Sequence, residues 1–130
     1  MILYIQTVSK KTEIYILNQQ TDILRDITWK QEKNQSEKLL RSIHELLAGE
    51  IPEKILVMNG MGSYTGTRIG ISIANTLAFA WKIPIGAVTT SSYVGDQEDF
   101  HSQEYIQSFF NNPEWRDTVM PVYNREPKIG

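Results

Sequence analysis

A glycine-rich loop separates two patterns that together leave the fold little freedom. Before it stands Lys54-Ile55-Leu56-Val57-Met58, a short apolar run without alternation, as expected of a strand covered on both faces. After Asn59-Gly60-Met61-Gly62-Ser63-Tyr64-Thr65-Gly66 comes a helical pattern from Thr67 to Trp81, stopped by Pro84. Ile85 to Thr89 then supply a second short strand. Strand, helix and strand in this order make a parallel crossover, which requires a sheet with helices packed on it.

Upstream, Ile2 to Val8 and Glu13 to Asn18 are rich in strand-forming side chains and flank the polar tip Ser9-Lys10-Lys11-Thr12, so they form a hairpin. Ile23 to Lys30 mixes β-branched, aromatic and charged residues, which suits a third strand near a sheet edge. The period then changes. Leu39, Leu40, Ile43, Leu46 and Leu47 mark one stripe of a helix over about Ser36 to Ala48. Ser36 is its expected cap, Glu37 favours the positive end of its dipole, and Gly49 with Pro52 ends it. The predicted order is βββαβαβ, an α/β fold with a mixed sheet. Beyond Thr90 the pattern fades. A short helix fits Gln103 to Phe110, Asn111-Asn112-Pro113 breaks it, and Val119 to Tyr123 offers one more strand.

The chain has 130 residues, 41% of them hydrophobic, enough for one core but too few to lay a further layer over every apolar face. Thirteen basic residues stand against 15 acidic ones, and the net charge of −2 lacks the basic excess of a protein that grips nucleic acid by itself. The absence of cysteine excludes disulfides, thiolate chemistry and cysteine-ligated metal, and fits a reducing compartment. The stretch from Ile69 to Ile85 carries Gly70, Ser72, Asn75, Thr76 and Lys82, so it is a poor membrane span. The amino end has no basic start and no small-residue cleavage site and reads as a strand. A soluble, cytoplasmic protein is expected.

The second helix is apolar on nearly every side. At about 100° per residue, Ile69, Ile73, Leu77, Ala80 and Trp81 form one broad face expected on the sheet, while Ile71, Ala78 and Phe79 point away from its centre. Gly70, Ala74 and Ala78 make a smooth strip that another helix can approach closely. The first helix is one candidate to cover that strip. A subunit interface is the other, and it would hide Ile71 and Phe79 from water.

The glycine loop matches no specific nucleotide motif. Its G-x-G-x-x-x-G spacing is one residue too long for the dinucleotide fingerprint, and no lysine follows the last glycine as a P-loop requires. Ser63 is not centred in G-x-S-x-G and has no histidine nearby. The loop reads as a tight turn with Ser63 or Thr65 capping the helix, an anion site at the helix start being the alternative. His44 and His101 are isolated and read as solvated. Lys10 and Lys11 read as a solvated hairpin tip, with phosphate contact as the alternative. No catalytic residue, metal ligand or cofactor is assigned.

Residues 59–78, N-G-M-G-S-Y-T-G-T-R-I-G-I-S-I-A-N-T-L-A, resemble the G-P-G-S-F-T-G-L-R-I-G signature and following helix of the TsaB family. Q-S-E-K-L at 35–39 is similar to that family's H-S-E-x-L helix start, I-P-I-G-A-V-T-T-S-S at 83–92 to its P-x-x-G-V-S-S-L turn, and P-V-Y-N-R at 121–125 to its P-x-Y-x-R. The resemblance implies an RNase H-like or actin-like ATPase half over residues 1–95, with 96–130 a reduced remnant of a second lobe that is nearly absent. It implies a non-catalytic subunit for making threonylcarbamoyladenosine next to the tRNA anticodon. Such a subunit binds and organises the catalytic partner TsaD through helices one and two, joins the ATPase TsaE through that complex, meets tRNA indirectly, and forms a homodimer when alone.

The interface positions implied are Ser36, Glu37, Leu39, Arg68, Ile71, Asn75 and Ala78, and the signature loop is Gly60, Gly62, Ser63, Tyr64, Thr65 and Gly66. Where the family's first strand ends in Asp-Thr, this chain has Gln6-Thr7, and Met61 and Thr67 replace proline and leucine of the signature. The loss of that carboxylate argues against independent nucleotide hydrolysis. The rival expectation is a small phosphotransferase or hydrolase of the same superfamily, motivated by the glycine loop and Lys10-Lys11.

Overall fold

The computed structural model of the chain describes residues 1–31, 33–90, 92–97 and 100–121, all but Tyr64 to the side chain. Seven elements follow the expected order: β1 (Ile2–Gln6), β2 (Lys11–Leu17), β3 (Ile23–Lys30), α1 (Gln35–Leu47), β4 (Lys54–Met58), α2 (Tyr64–Trp81) and β5 (Ile85–Val88). α3 (Ser102–Asn111) and the short β6 (Trp115–Arg116) come after them. The strands form one sheet in the order β3-β2-β1-β4-β5-β6. Short turns make β1, β2 and β3 antiparallel, whereas helical crossovers make β1, β4 and β5 parallel. β6 closes the far edge antiparallel to β5.

β1 is buried along its whole length, so its alternate side chains feed two cores. Leu3, Ile5, Ile14, Ile16, Ile55, Val57 and Ile85 share one core with Leu39 and Ile43 of α1 and with Ile71, Ala74 and Ala78 of α2. Ile2, Tyr4, Tyr15, Leu17, Leu56, Met58 and Val88 share the other with Ile106 and Phe109 of α3. The Phe109 ring lies over Gly86, where a Cβ would come within 2.6 Å of it. Trp115 meets the edge of the same ring at 5.1 Å, which ties β6 to this layer.

α2 sits on the sheet by a different face from the one its hydrophobicity suggests. The strip that meets the sheet is Thr67, Gly70, Ile71, Ala74 and Ala78, all buried, and Ile71 is 1% exposed. Gly70 and Ala74 allow the close approach, since a Cβ on Gly70 would lie 2.3 Å from Thr7 Oγ1 at the end of β1. Ile69, Ile73, Leu77 and Trp81 are half-buried on the side toward α1, Ala80 is exposed, and Phe79 is 84% exposed. Surplus apolar surface therefore exists, but on other residues than Ile71 and Ala78.

Three local expectations are also corrected. The residue before α1 is Asn34, with a left-handed backbone (φ 61°) and no side-chain cap, so Ser36 lies exposed inside the first turn. α2 starts at Tyr64 rather than Thr67, because Ser63 Oγ accepts a hydrogen bond from the Gly66 amide at 3.0 Å and caps it there. Among the described residues the last strand is Trp115–Arg116, and Val119 to Pro121 form none. Residues 122–125 of the expected tail motif lie outside the described residues. Among the described residues no helix is long and apolar enough to cross a membrane.

Candidate functional site

The signature glycines are used for close packing against the first hairpin. A Cβ on Gly62 would fall 2.1 Å from the Val8 carbonyl oxygen, and one on Gly66 would fall 2.2 Å from that of Thr7. Gly60 is needed for its backbone, at φ +78°. Thr7 Oγ1 donates to the Gly66 carbonyl at 2.5 Å, the Ser63 amide donates to the Val8 carbonyl at 3.2 Å, and Gln31 Nε2 donates to the carbonyls of Thr7 and Ser9 at 2.6 and 2.8 Å. The end of β1 thus occupies the hollow of the loop, where an anion would otherwise meet backbone N–H groups.

Gln6, the last residue of β1, is wholly buried and spends both ends of its amide inside the hairpin. Its Oε1 accepts from the Val8 and Ser9 amides at 2.6 and 2.9 Å. Its Nε2 faces Ser9 Oγ at 3.1 Å and Glu13 Oε1 at 2.9 Å. The buried Glu13 carboxylate also accepts from the Tyr15 hydroxyl and, at 2.7 Å, from Ser102 Oγ, which in turn accepts from Tyr4 at 2.8 Å. Burial pushes the Tyr4 hydroxyl well above the usual phenol range, and burial with the Glu13 carboxylate pushes Tyr15 up too. Among the described residues no group of three or more histidine, cysteine, aspartate or glutamate side chains could hold a metal ion.

The outer side of the α1–α2 pair carries two grooves. One, of about 310 Å³, brings together Ser36, Thr65, Arg68, Ile69, Ser72 and Ile73. The other, of about 370 Å³, lies between the far ends of the helices and includes Leu40, His44, Ile51, Leu77 and Trp81. Leu40 is 47% exposed although it lies beside the apolar stripe of α1. Ser36 and Arg68 of the expected interface and Thr65 of the signature are thus neighbours, and Glu37 is exposed in the same turn of α1 as Ser36. Leu39, Ile71 and Ala78 are not on this face, because the chain's own core takes them. Sequence patterning alone missed Leu40, Ile69, Ile73 and Leu77 as the apolar ridge, having assigned them to the inner stripes.

Asn75, half-buried on α2, grips the chain's own backbone. Its Nδ2 donates to the Val119 carbonyl at 2.7 Å and its Oδ1 accepts from the Val119 amide at 2.9 Å, as a neighbouring strand would. Asn59 Nδ2 donates to the Met120 carbonyl at 2.8 Å. Val119 is thereby held in the core beneath α2, beside a cleft of about 550 Å³ at the ends of β4 and β5.

A family model described as TsaD, tRNA N6-adenosine threonylcarbamoyltransferase, matches residues 22–104. The tRNA threonylcarbamoyladenosine biosynthesis protein TsaB of Bacillus subtilis (strain 168) is 40% identical over 94 residues, which are 68% of this chain and 41% of that protein. Among solved structures, YeaZ from Pseudomonas aeruginosa superposes with a TM-score of 0.56 at 24% identity, over 68% of this chain and 43% of that one. RuvC of T. thermophilus, in complex with a Holliday junction substrate, does so with a TM-score of 0.53 at 13% identity, over 68% and 63%. The two likenesses show an RNase H-like, actin-like ATPase fold. The chain spans about two fifths of the length of the curated relative it matches. The matched model, the curated relative and the glycine signature agree, and the chain belongs to the TsaB family within the wider family that the model describes.

Proposed function

We propose that this chain is a non-catalytic subunit in the formation of tRNA threonylcarbamoyladenosine, and that it binds and positions a TsaD-like catalytic subunit through the outer face of α1 and α2. The observation that carries this is the ridge of Leu40, Ile69, Ile73 and Leu77. These are large apolar side chains left exposed or half-buried on paired helices in a domain whose sheet is already covered on both faces. Such a ridge, with Ser36 and Arg68 at one end, fits a second helix pair. In the absence of the catalytic subunit the same ridge would serve a second copy of this chain. A TsaE-like ATPase would join through the complex. Support for a non-catalytic role is the amide of Gln6 where a carboxylate stands in the family, together with a glycine loop filled by Thr7 and Val8.

The experiment is reconstitution of tRNA modification with the chain's own TsaD-like subunit, with and without this chain. Modification that depends on the chain is the expected result, and it should be lost in Leu40→Glu/Ser72→Arg, which loads both grooves with charge. Equal modification without the chain, or full activity of that variant, would contradict the role.

A further inference from the structure

We propose that the end of the sheet bearing Lys11, Lys30 and Lys33 docks the phosphate backbone of an RNA. The proposal rests on the tRNA-modification role given above and adds a direct contact that a net charge of −2 conceals. Lys11 of β2 and Lys30 of β3 stand directly opposite in antiparallel register. Opposed residues put their side chains on one face about 5 Å apart, where like charges repel. Lys30 alone would have an ordinary explanation, since a lysine on an edge strand keeps that edge from pairing with another chain. Lys11 has no such use, because β2 is interior, with β1 on one side and β3 on the other. Lys33 is exposed and follows in the turn that leads into α1.

Among the described residues Lys11, Lys30 and Lys33 form no ion pair. Two residues along β2 on the same face, the Glu13 carboxylate is buried and takes its hydrogen bonds from Gln6, Tyr15 and Ser102. Lys11 and Lys30 thus present two unpaired positive charges on one face, with the nearest exposed carboxylate of β3 on that face, Asp26, four residues from Lys30, and a phosphate backbone would bind there while releasing counterions. A membrane surface fits less well. Among the described residues the exposed large apolar side chains are Leu24, Leu40, Ile51, Phe79, Tyr93 and Met120, and the one on these strands, Leu24, stands at the other end of β3 from Lys30.

The test is titration of an unmodified tRNA transcript against the full chain at about 50 and 150 mM salt. Three phosphate contacts predict a log–log salt slope of about −2 to −3. Lys11→Glu/Lys30→Glu/Lys33→Glu should weaken binding at least tenfold. Lys33→Gln alone, in the exposed turn where folding is safe, should reduce the slope by about 1. Lys82→Glu, at the opposite end of the sheet, should stay within about twofold of the parent. No tRNA binding at the lower salt, an unchanged triple variant with an unchanged Lys33→Gln slope, or an equal loss in Lys82→Glu would overturn the proposal. So would binding to phosphatidylserine vesicles in place of tRNA. Complex formation with the catalytic subunit is measured on the same variants. Its failure in the parent chain would strike the subunit role, whereas tRNA affinity lost with the complex intact supports the lysine surface.

Discussion

Thr7 and Gly70 meet with no room between them: a Cβ on Gly70 would lie 2.3 Å from Thr7 Oγ1, the hydroxyl that also donates to the Gly66 carbonyl at 2.5 Å. This contact sets how closely α2 lies against β1. Gly70→Ala should therefore destabilise the chain by about 1–3 kcal/mol although alanine favours helix. Thr7→Ala opens the space at the expense of the hydrogen bond, so the double variant should be less damaged than the sum of the singles, by about 1 kcal/mol. Urea midpoints of the four proteins measure the coupling. Additive effects would mean that α2 can shift to take the methyl group.

Gln6 and Glu13 make a second dependence. Gln6→Glu keeps the shape but replaces the donor that lies 2.9 Å from Glu13 Oε1 by an acceptor. Two buried carboxylates would then face each other, and the variant should lose about 3 kcal/mol or more near neutral pH. The loss should shrink as pH falls through the carboxylate range, because protonating one partner restores a donor. The measurement is the difference from the parent in urea midpoint, taken at pH 7 and near pH 4.

The two tyrosines make stability fall in alkali. Tyr4 and Tyr15 hold their protons in the fold to a higher pH than in the unfolded chain. The stabilisation is fully present below the unfolded phenol value, near 10, and is lost as pH rises from there toward the folded values, by up to about 1.4 kcal/mol per unit for each group. Stability should decline steeply above pH 10, and the share of tyrosinate absorbance that Tyr4→Phe and Tyr15→Phe remove should appear only with unfolding. Tyr4→Phe should make the decline shallower. Tyrosinate at Tyr4 or Tyr15 before unfolding would contradict their burial.

Asn75 holds a segment 44 residues away in sequence with two hydrogen bonds to Val119. Asn75→Ala should cost about 1–3 kcal/mol by leaving that buried backbone without partners. The amide of Val119 should lose its hydrogen-exchange protection before those of β4 do. Unchanged protection there would show that Val119 is held by its apolar side chain alone.

The order of the first seven elements was legible because each announces itself locally, through strand-forming runs, the Leu39–Leu47 stripe and the glycine loop. The orientation of α2 was not. Hydrophobicity weights Ile69, Ile73 and Leu77 over Gly70 and Ala74, whereas close contact with Thr7 rewards the smallest residues. Exchanging the two faces moved Ile71 and Ala78 into the core and brought Ile69 and Ile73 to the outer groove. Ser36, Thr65 and Arg68 meet there as neighbours, but no local pattern shows that Asn75 will grip Val119, since their contact arises only when the sheet closes. β6 was likewise invisible, because its pairing depends on Trp115 reaching Phe109.

The outer face of α1 and α2 is the proposed partner surface, whereas the inner face of α2 holds the fold. The most direct measurement is calorimetric titration of the TsaD-like catalytic subunit into Leu40→Glu and into Ile71→Ala, with the thermal stability of each followed in parallel. Leu40→Glu should keep its stability within about 1 kcal/mol and bind at least tenfold more weakly. Ile71→Ala should lose about 2–5 kcal/mol of stability yet bind normally wherever it remains folded. Normal binding by Leu40→Glu, with weakened binding by folded Ile71→Ala, would contradict the claim.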